Sequence, residues 1–176
     1  MRIIDVGCGP GIYVKALRDA GVDADGVDLD PGCPYDIMDV FSDEFEAKYK
    51  GYDLAMCLEV AEHLPESKAA DLVKRLTTLA PTVLFSAAVP NQGGHGHINC
   101  QPKEYWIGKF AELNYVVDSV STLKLLDFIT SGYHMGWFRN NAIVFKQYGA
   151  TCYASIIEEE TPQAVRLAEY LSKNKL

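Results

Sequence analysis

Positive charge is scarce in this chain: 16 Lys and Arg stand against 24 Asp and Glu, a net charge of -8. That balance argues against binding along a nucleic-acid backbone, which relies on clustered basic side chains, though a nucleobase held in a local groove stays possible. The five cysteines (Cys8, Cys33, Cys57, Cys100 and Cys152) are scattered, odd in number and form no CxxC pair. A disulfide framework is therefore not expected, and the pattern suits reduced thiols in the cytoplasm. No apolar run reaches the length of a membrane span, and the start, MRIIDVGCG, lacks the charged and apolar regions of a secretory signal. Internal repeats and low-complexity segments are absent as well. These absences leave a cytoplasmic domain of 176 residues, 48% hydrophobic, long enough to bury most of its chain surface.

Short apolar runs alternate with amphipathic ones. Arg2 to Val6, ADGVDLD, YDIMDV, Gly51 to Leu58 and PTVLFSAAV read as strands, followed by YVVDSVS and NAIVFK. Helical spacing appears over Ile12–Ala20, Ser67–Leu79 and Pro102–Leu113, the last with Tyr105, Trp106, Phe110 and Leu113 as its packing face. The pattern predicts an α/β fold, a doubly wound and mostly parallel sheet of seven strands with helices on both faces. Residues 1–150 would form the domain, and 151–176 an amphipathic helical tail. Ligands of such sheets bind beyond the carboxyl ends of the strands. The glycine loop, Asp28, Asp39, Glu59 and the loop from Pro90 to Pro102 all follow strand ends, so they are expected along one edge.

In IIDVGCGPGIYVKAL, Gly7, Gly9 and Gly11 join a strand to a helix. Glycine admits positive φ and removes the Cβ that would hold a ligand off the backbone. Asp28, ending the second strand, can accept hydrogen bonds from both hydroxyls of a ribose. Together they point to a nucleoside extended at its 5′ end. The spacing is GxGxG, not the GxGxxG of a pyrophosphate loop, and no second nucleotide-binding half follows.

DVGCGPG, GVDLD and YDLAMCLEVAEHLP in series resemble the class I S-adenosylmethionine-dependent methyltransferases, over about Arg2 to Lys146. The resemblance implies a Rossmann-like sheet whose last strand is antiparallel, and S-adenosylmethionine as cofactor. It implies that Asp5 ties down the loop, and that Gly7, Cys8, Gly9 and Gly11 lie against methionine and ribose. Asp28 would hold the ribose hydroxyls, Leu29 the adenine, Asp39 with Val40 the adenine amino side, and backbone at Leu58 the methionine ammonium. Two features depart from the family pattern. No helix is expected ahead of the first strand at Arg2, where the family usually has one, and only ten residues separate Asp28 from Asp39, which abbreviates the helix expected there.

Methyl transfer to a small-molecule acceptor, with oxygen favoured as the atom methylated, is the expected activity. A general base is needed when the acceptor carries a proton. Glu59, Glu62, His63, His95 and His97 fall near the reactive edge. A histidine of the 95/97 loop is the favoured base, with Glu59 positioning the acceptor, and a Glu59–His63 contact orienting either partner. HGHINC offers three possible ligands (His95, His97, Cys100) without the spacing of a zinc site, so no metal is expected. Two other functions fit the same residues: a non-catalytic cofactor-binding or partner-binding module, and a nicotinamide-dependent oxidoreductase.

Overall fold

A computed structural model describes residues 1–132 and 136–148. The expected domain boundary at 150, the tail over 151–176 and Cys152 lie outside the described residues. Seven strands form one sheet: β1 (Arg2–Val6), β2 (Asp23–Asp28), β3 (Asp36–Ile37), β4 (Leu54–Leu58), β5 (Thr82–Ser86), β6 (Tyr115–Val117) and β7 (Ile143–Gln147). Their order is β3-β2-β1-β4-β5-β7-β6. Strands β1 to β5 pair in parallel, whereas β7 runs antiparallel to both β5 and β6. This is the Rossmann-like sheet expected, with its last strand reversed.

Alternation along the strands divides the core in two. Ile4, Val6, Ala55, Cys57, Val83 and Phe85 point to one face, where they meet side chains of α2 (Asp43–Lys48), α3 (Ala69–Leu79) and α4 (Lys103–Ala111). Ile3, Met56 and Leu84 point to the other, against Val14 and Leu17 of α1 (Ile12–Asp19). Leu58 on that second face also meets Leu125 and Ile129 of α5 (Ser119–Gly132) and Phe138 of α6 (Gly136–Asn141). In α3, Leu72, Val73, Leu76 and Leu79 are buried at the helical spacing that faces a sheet. Trp106 and Phe110 of α4 are likewise core, Phe110 stacked on Phe145 with ring centroids 3.9 Å apart.

Several elements differ from the sequence expectation. YDIMDV contributes only the two residues of β3, and no helix lies between β2 and β3; Pro31 and Pro34 deny that stretch regular helical hydrogen bonding. YVVDSVS is a strand only as far as Val117. Asp118 then caps a helix, its Oδ1 accepting from Ser121 N at 3.0 Å and its Oδ2 from the Ser121 hydroxyl at 2.8 Å. Helices α2, α5 and α6 have no counterpart in the sequence reading. Among the described residues, no helix is long and apolar enough to cross a membrane.

Candidate functional site

The loop between β1 and α1 is held from the β2 side. Gly7 N and Cys8 N donate to Val27 O at 2.8 and 3.2 Å, and Gly9 N donates to Asp28 Oδ2 at 2.7 Å. Asp28 Oδ1 accepts Asp30 N at 2.8 Å, so one carboxylate fixes two loops. Asp28 is thus the residue whose side chain bonds to the Gly9 amide, the place where Asp5 is expected to tie the loop down. Asp5 sits beneath, 2% exposed, with Oδ2 lacking any partner. Burial, helped by the charge of Asp28, pushes its pKa up to about 7.

The three loop glycines adopt left-handed backbone, but for different reasons. A Cβ on Gly7 would overlap Val60, and one on Gly11 the Tyr35 ring. Gly9, at φ 51°, has nothing within 4 Å of where its Cβ would stand. Its bareness serves no packing inside the protein. It leaves backbone open at the strand ends, the place an extended nucleoside needs.

A cavity of about 400 Å³ opens at this edge, with Gly7, Asp28, Leu29, Asp39, Val40, Glu59 and His63 among its lining residues. Asp39 stands exposed on its rim, Oδ1 accepting Phe41 N at 2.9 Å. Leu29 is 66% exposed, an apolar side chain free to cover a ring. Cys8 is buried with its Sγ 3.6 Å from that of Cys33, so this thiol faces the protein interior. Leu58 is half-buried at the end of β4. The acidic and apolar lining, the bare Gly9 and the absence of a pyrophosphate-type loop fit S-adenosylmethionine.

Beyond β4 the chain turns sharply. Glu59 has φ 56°, and its N–H donates to Ser86 O at 3.0 Å and to Ser86 Oγ at 3.2 Å. A one-turn 3₁₀ helix, Ala61–His63, then carries Glu62 inward, fully buried, its carboxylate near its own amide, the Ala88 amide and the Glu59 carboxylate but with no well-formed hydrogen bond to any of them. Burial, with neighbouring Glu59 adding to it, pushes the Glu62 pKa up to about 7. The loop after β5 folds back onto this turn, Ile98 N and Asn99 N donating to Glu62 O at 2.9 and 3.0 Å. That docking sets His97 beside His63, ring centroids 4.9 Å apart and edge to face. His63 Nδ1 lies 3.2 Å from Gly96 O. A carbonyl only accepts, so Nδ1 is the nitrogen that donates here, and Nε2 is left as the ring's outward atom.

One ligand atom each from Glu62, His63 and His97 lies within 4.8 Å of the others, a set that could hold a metal ion. A carboxylate with two imidazoles suits a divalent transition metal. Of the HGHINC residues, His97 alone joins this group; His95 stands exposed, and Cys100 Sγ contacts His97 Nδ1 at 3.7 Å. The structure thus lines one end of the cavity with Glu59 and His63, sets His97 against His63, and leaves His95 outside the cluster.

Three further residues belong to this region. Glu62 was noted in sequence only for its nearness to the edge; its position directly before His63 is the local signal, and its burial is visible only in the fold. Gln92 and Asn141 surround the Glu59 carboxylate from segments 33 and 82 residues away, and no spacing rule points to them.

Comparison with known proteins agrees with this geometry. A methyltransferase-domain family model matches residues 1–119. A ubiquinone biosynthesis O-methyltransferase of Saccharophagus degradans is 27% identical over 180 residues, covering 88% of this chain and 68% of that protein. One from Photobacterium profundum is 25% identical, covering 68% of this chain and 77% of that protein. The crystal structure of magnesium protoporphyrin IX methyltransferase from Synechocystis, with bound SAH, superposes with a TM-score of 0.61 at 15% identity, covering 84% of this chain and 74% of that one. At that identity the likeness speaks for the fold, while the family model spans more than half of the sequence and includes the glycine loop and the Glu59–His63 turn. The chain belongs to the class I S-adenosylmethionine-dependent methyltransferases.

Proposed function

We propose that this methyltransferase acts on a hydroxyl oxygen of a small molecule, activated where Glu62, His63 and His97 converge. The observation that carries the reading is Glu62, a fully buried carboxylate beside the Glu59 carboxylate and without a well-formed hydrogen bond, with a ligand atom within 4.8 Å of one from each of two imidazoles. Such a carboxylate is stable only with a proton or a cation beside it. The names of the two curated relatives, O-methyltransferases of ubiquinone biosynthesis, favour oxygen as the acceptor atom.

S-adenosylmethionine supplies a methyl group on positively charged sulfur, already activated for in-line displacement. The chain's own residues then have two tasks. Asp28, Asp39 and the Gly9 backbone hold the nucleoside, and alignment of this kind contributes on the order of 7–11 kcal/mol. Glu62, His63 and His97 take charge of the hydroxyl proton. In the arrangement we favour they would hold a divalent cation, which would lower the pKa of a bound hydroxyl so that its proton passes to bulk water before the methyl group is transferred. The pKa near 7 of Glu62 supports a second arrangement, in which a proton sits on the carboxylate and His97 is the base.

Turnover of 3,4-dihydroxybenzoate with S-adenosylmethionine, followed by mass spectrometry of the product, tests the reading. An oxygen-methylated product is expected. Its loss in EDTA and return with Mn²⁺ or Zn²⁺ support the cation arrangement; unchanged turnover in EDTA supports the histidine base. His97→Ala is expected to lower kcat by about 10²-fold or more in either case. Full activity of both His63→Ala and His97→Ala would remove the cluster from the reaction.

A further inference from the structure

Glu59 is held by an amide clamp that the methyl-transfer chemistry does not by itself account for. Asn141 Nδ2 donates to Glu59 Oε1 at 3.1 Å and Oε2 at 3.2 Å, and also to Gln92 Oε1 at 3.0 Å. Gln92 Nε2 donates to Glu59 Oε2 at 3.4 Å, closing a three-residue ring. The members come from separate places: the end of β4, the loop after β5, and the end of α6 just before β7. Asn141 is 2% exposed, yet its own Oδ1 has no partner. An apolar side chain of similar size would fill this site without stranding a buried acceptor. Rotating the amide would turn Oδ1 onto a carboxylate, acceptor against acceptor, so both N–H groups must point at the ring. The amide is there for its donors.

The backbone makes that need concrete. Glu59 is not glycine, but it occupies left-handed φ at 56°. Strain of this kind persists only where the surroundings over-determine the conformation. Ser86 pins the Glu59 N–H, and Asn141 with Gln92 pins the carboxylate. Glu59 then stands on the cavity wall beside Val60 and His63, between the nucleoside end and the histidine cluster.

We infer that Asn141 is a positioning residue: through its two N–H groups, backed by Gln92, it locks the Glu59 carboxylate in the orientation that meets the methyl acceptor. The inference rests on the reading of the Glu59-to-His97 end of the cavity as the acceptor side. Asn141 acts through Glu59 and does not itself line the cavity.

A double-mutant cycle on the full chain tests it, with S-adenosylmethionine and 3,4-dihydroxybenzoate as probe. Asn141→Ala and Glu59→Gln are each expected to lower kcat by about 10- to 100-fold, the loss typical of a small misplacement. Affinity for S-adenosylhomocysteine by calorimetry is expected to stay within about threefold. The double variant is expected to match Glu59→Gln within about twofold, because a residue working only through Glu59 has nothing left to position. Losses that multiply in the double variant, or an Asn141→Ala enzyme at full kcat, overturn the inference. Should Asn141→Ala fold poorly, Asn141→Ser replaces it in the cycle with the same expectation. If the wild-type chain fails to methylate the probe, the proposed function fails on its own, and the clamp is read by NMR of the S-adenosylhomocysteine complex. There the Asn141 side-chain amide protons are expected to exchange slowly and to shift in Glu59→Gln; rapid exchange with no shift overturns the clamp.

Discussion

Asp28 Oδ2 accepts the Gly9 amide and Oδ1 the Asp30 amide, which leaves each oxygen a second lone pair toward the cavity. Those free lone pairs are the ones a ribose diol needs. Asp28→Ala is expected to weaken S-adenosylhomocysteine binding by about 1.5–3 kcal/mol for each charged hydrogen bond lost. Asp28→Asn should lose less, since the amide retains one accepting oxygen. Titration calorimetry measures both, and an affinity unchanged in Asp28→Ala would take the ribose away from this residue. The position of Asp28 was legible because the acid ends a strand 17 residues after a glycine loop, and the structure sets it on the cavity wall. Glu62 was less so. A glutamate in a polar turn normally faces water, and only the loop docking at Ile98 and Asn99 shows that this one is enclosed. Asn141 was illegible because its partners, Glu59 and Gln92, are brought near by sheet topology rather than by local spacing.

The loop joining β1 to α1 shows how glycines in one motif differ in duty. Gly7 and Gly11 make room for Val60 and Tyr35, so side chains there would collide inside the protein. Gly9 borders open space, so Gly9→Val should leave the core intact apart from backbone strain at positive φ. We expect a folded variant with a modestly lowered Tm and no measurable S-adenosylhomocysteine binding by calorimetry. Retained binding would reduce the loop to a turn. Among the larger elements, α3 was readable from four apolar residues at helical spacing, and β5 from an almost wholly apolar run. Helix α2 escaped notice because six residues with one buried side chain, Phe45, show no period. Its cap was the available signal: Ser42 Oγ accepts Phe45 N at 3.2 Å, with Asp43, Glu44 and Glu46 in the first turn. Helix α5 began inside a segment rich in Val and Ser, where β propensity hid the Asp118 cap.

Across the whole molecule, an acidic protein has placed two carboxyl groups where ionisation is opposed by burial, Asp5 and Glu62, both with pKa values near 7. For Asp5 the consequence for stability has a definite sign. The unfolded chain releases this proton at the ordinary value of 3.8, whereas the folded protein keeps it to about 7. Between those values the folded state binds more protons, so stability falls as pH rises, and the whole penalty is present above 7. Below 3.8 both states are protonated and the group contributes nothing. Asp5→Asn cannot ionise. It is therefore expected to match the wild type near pH 3.5 and to exceed it above pH 7, by at most on the order of 4 kcal/mol. Urea unfolding of both proteins in the same buffers, from about pH 3.5 to about pH 8, is the measurement. Glu62 keeps part of the slope in the variant, so the expected result is a reduced slope rather than a flat line. Parallel curves for the two proteins would mean that Asp5 is ionised in the folded state at neutral pH, with a hydrogen-bond donor or cation beside Oδ2.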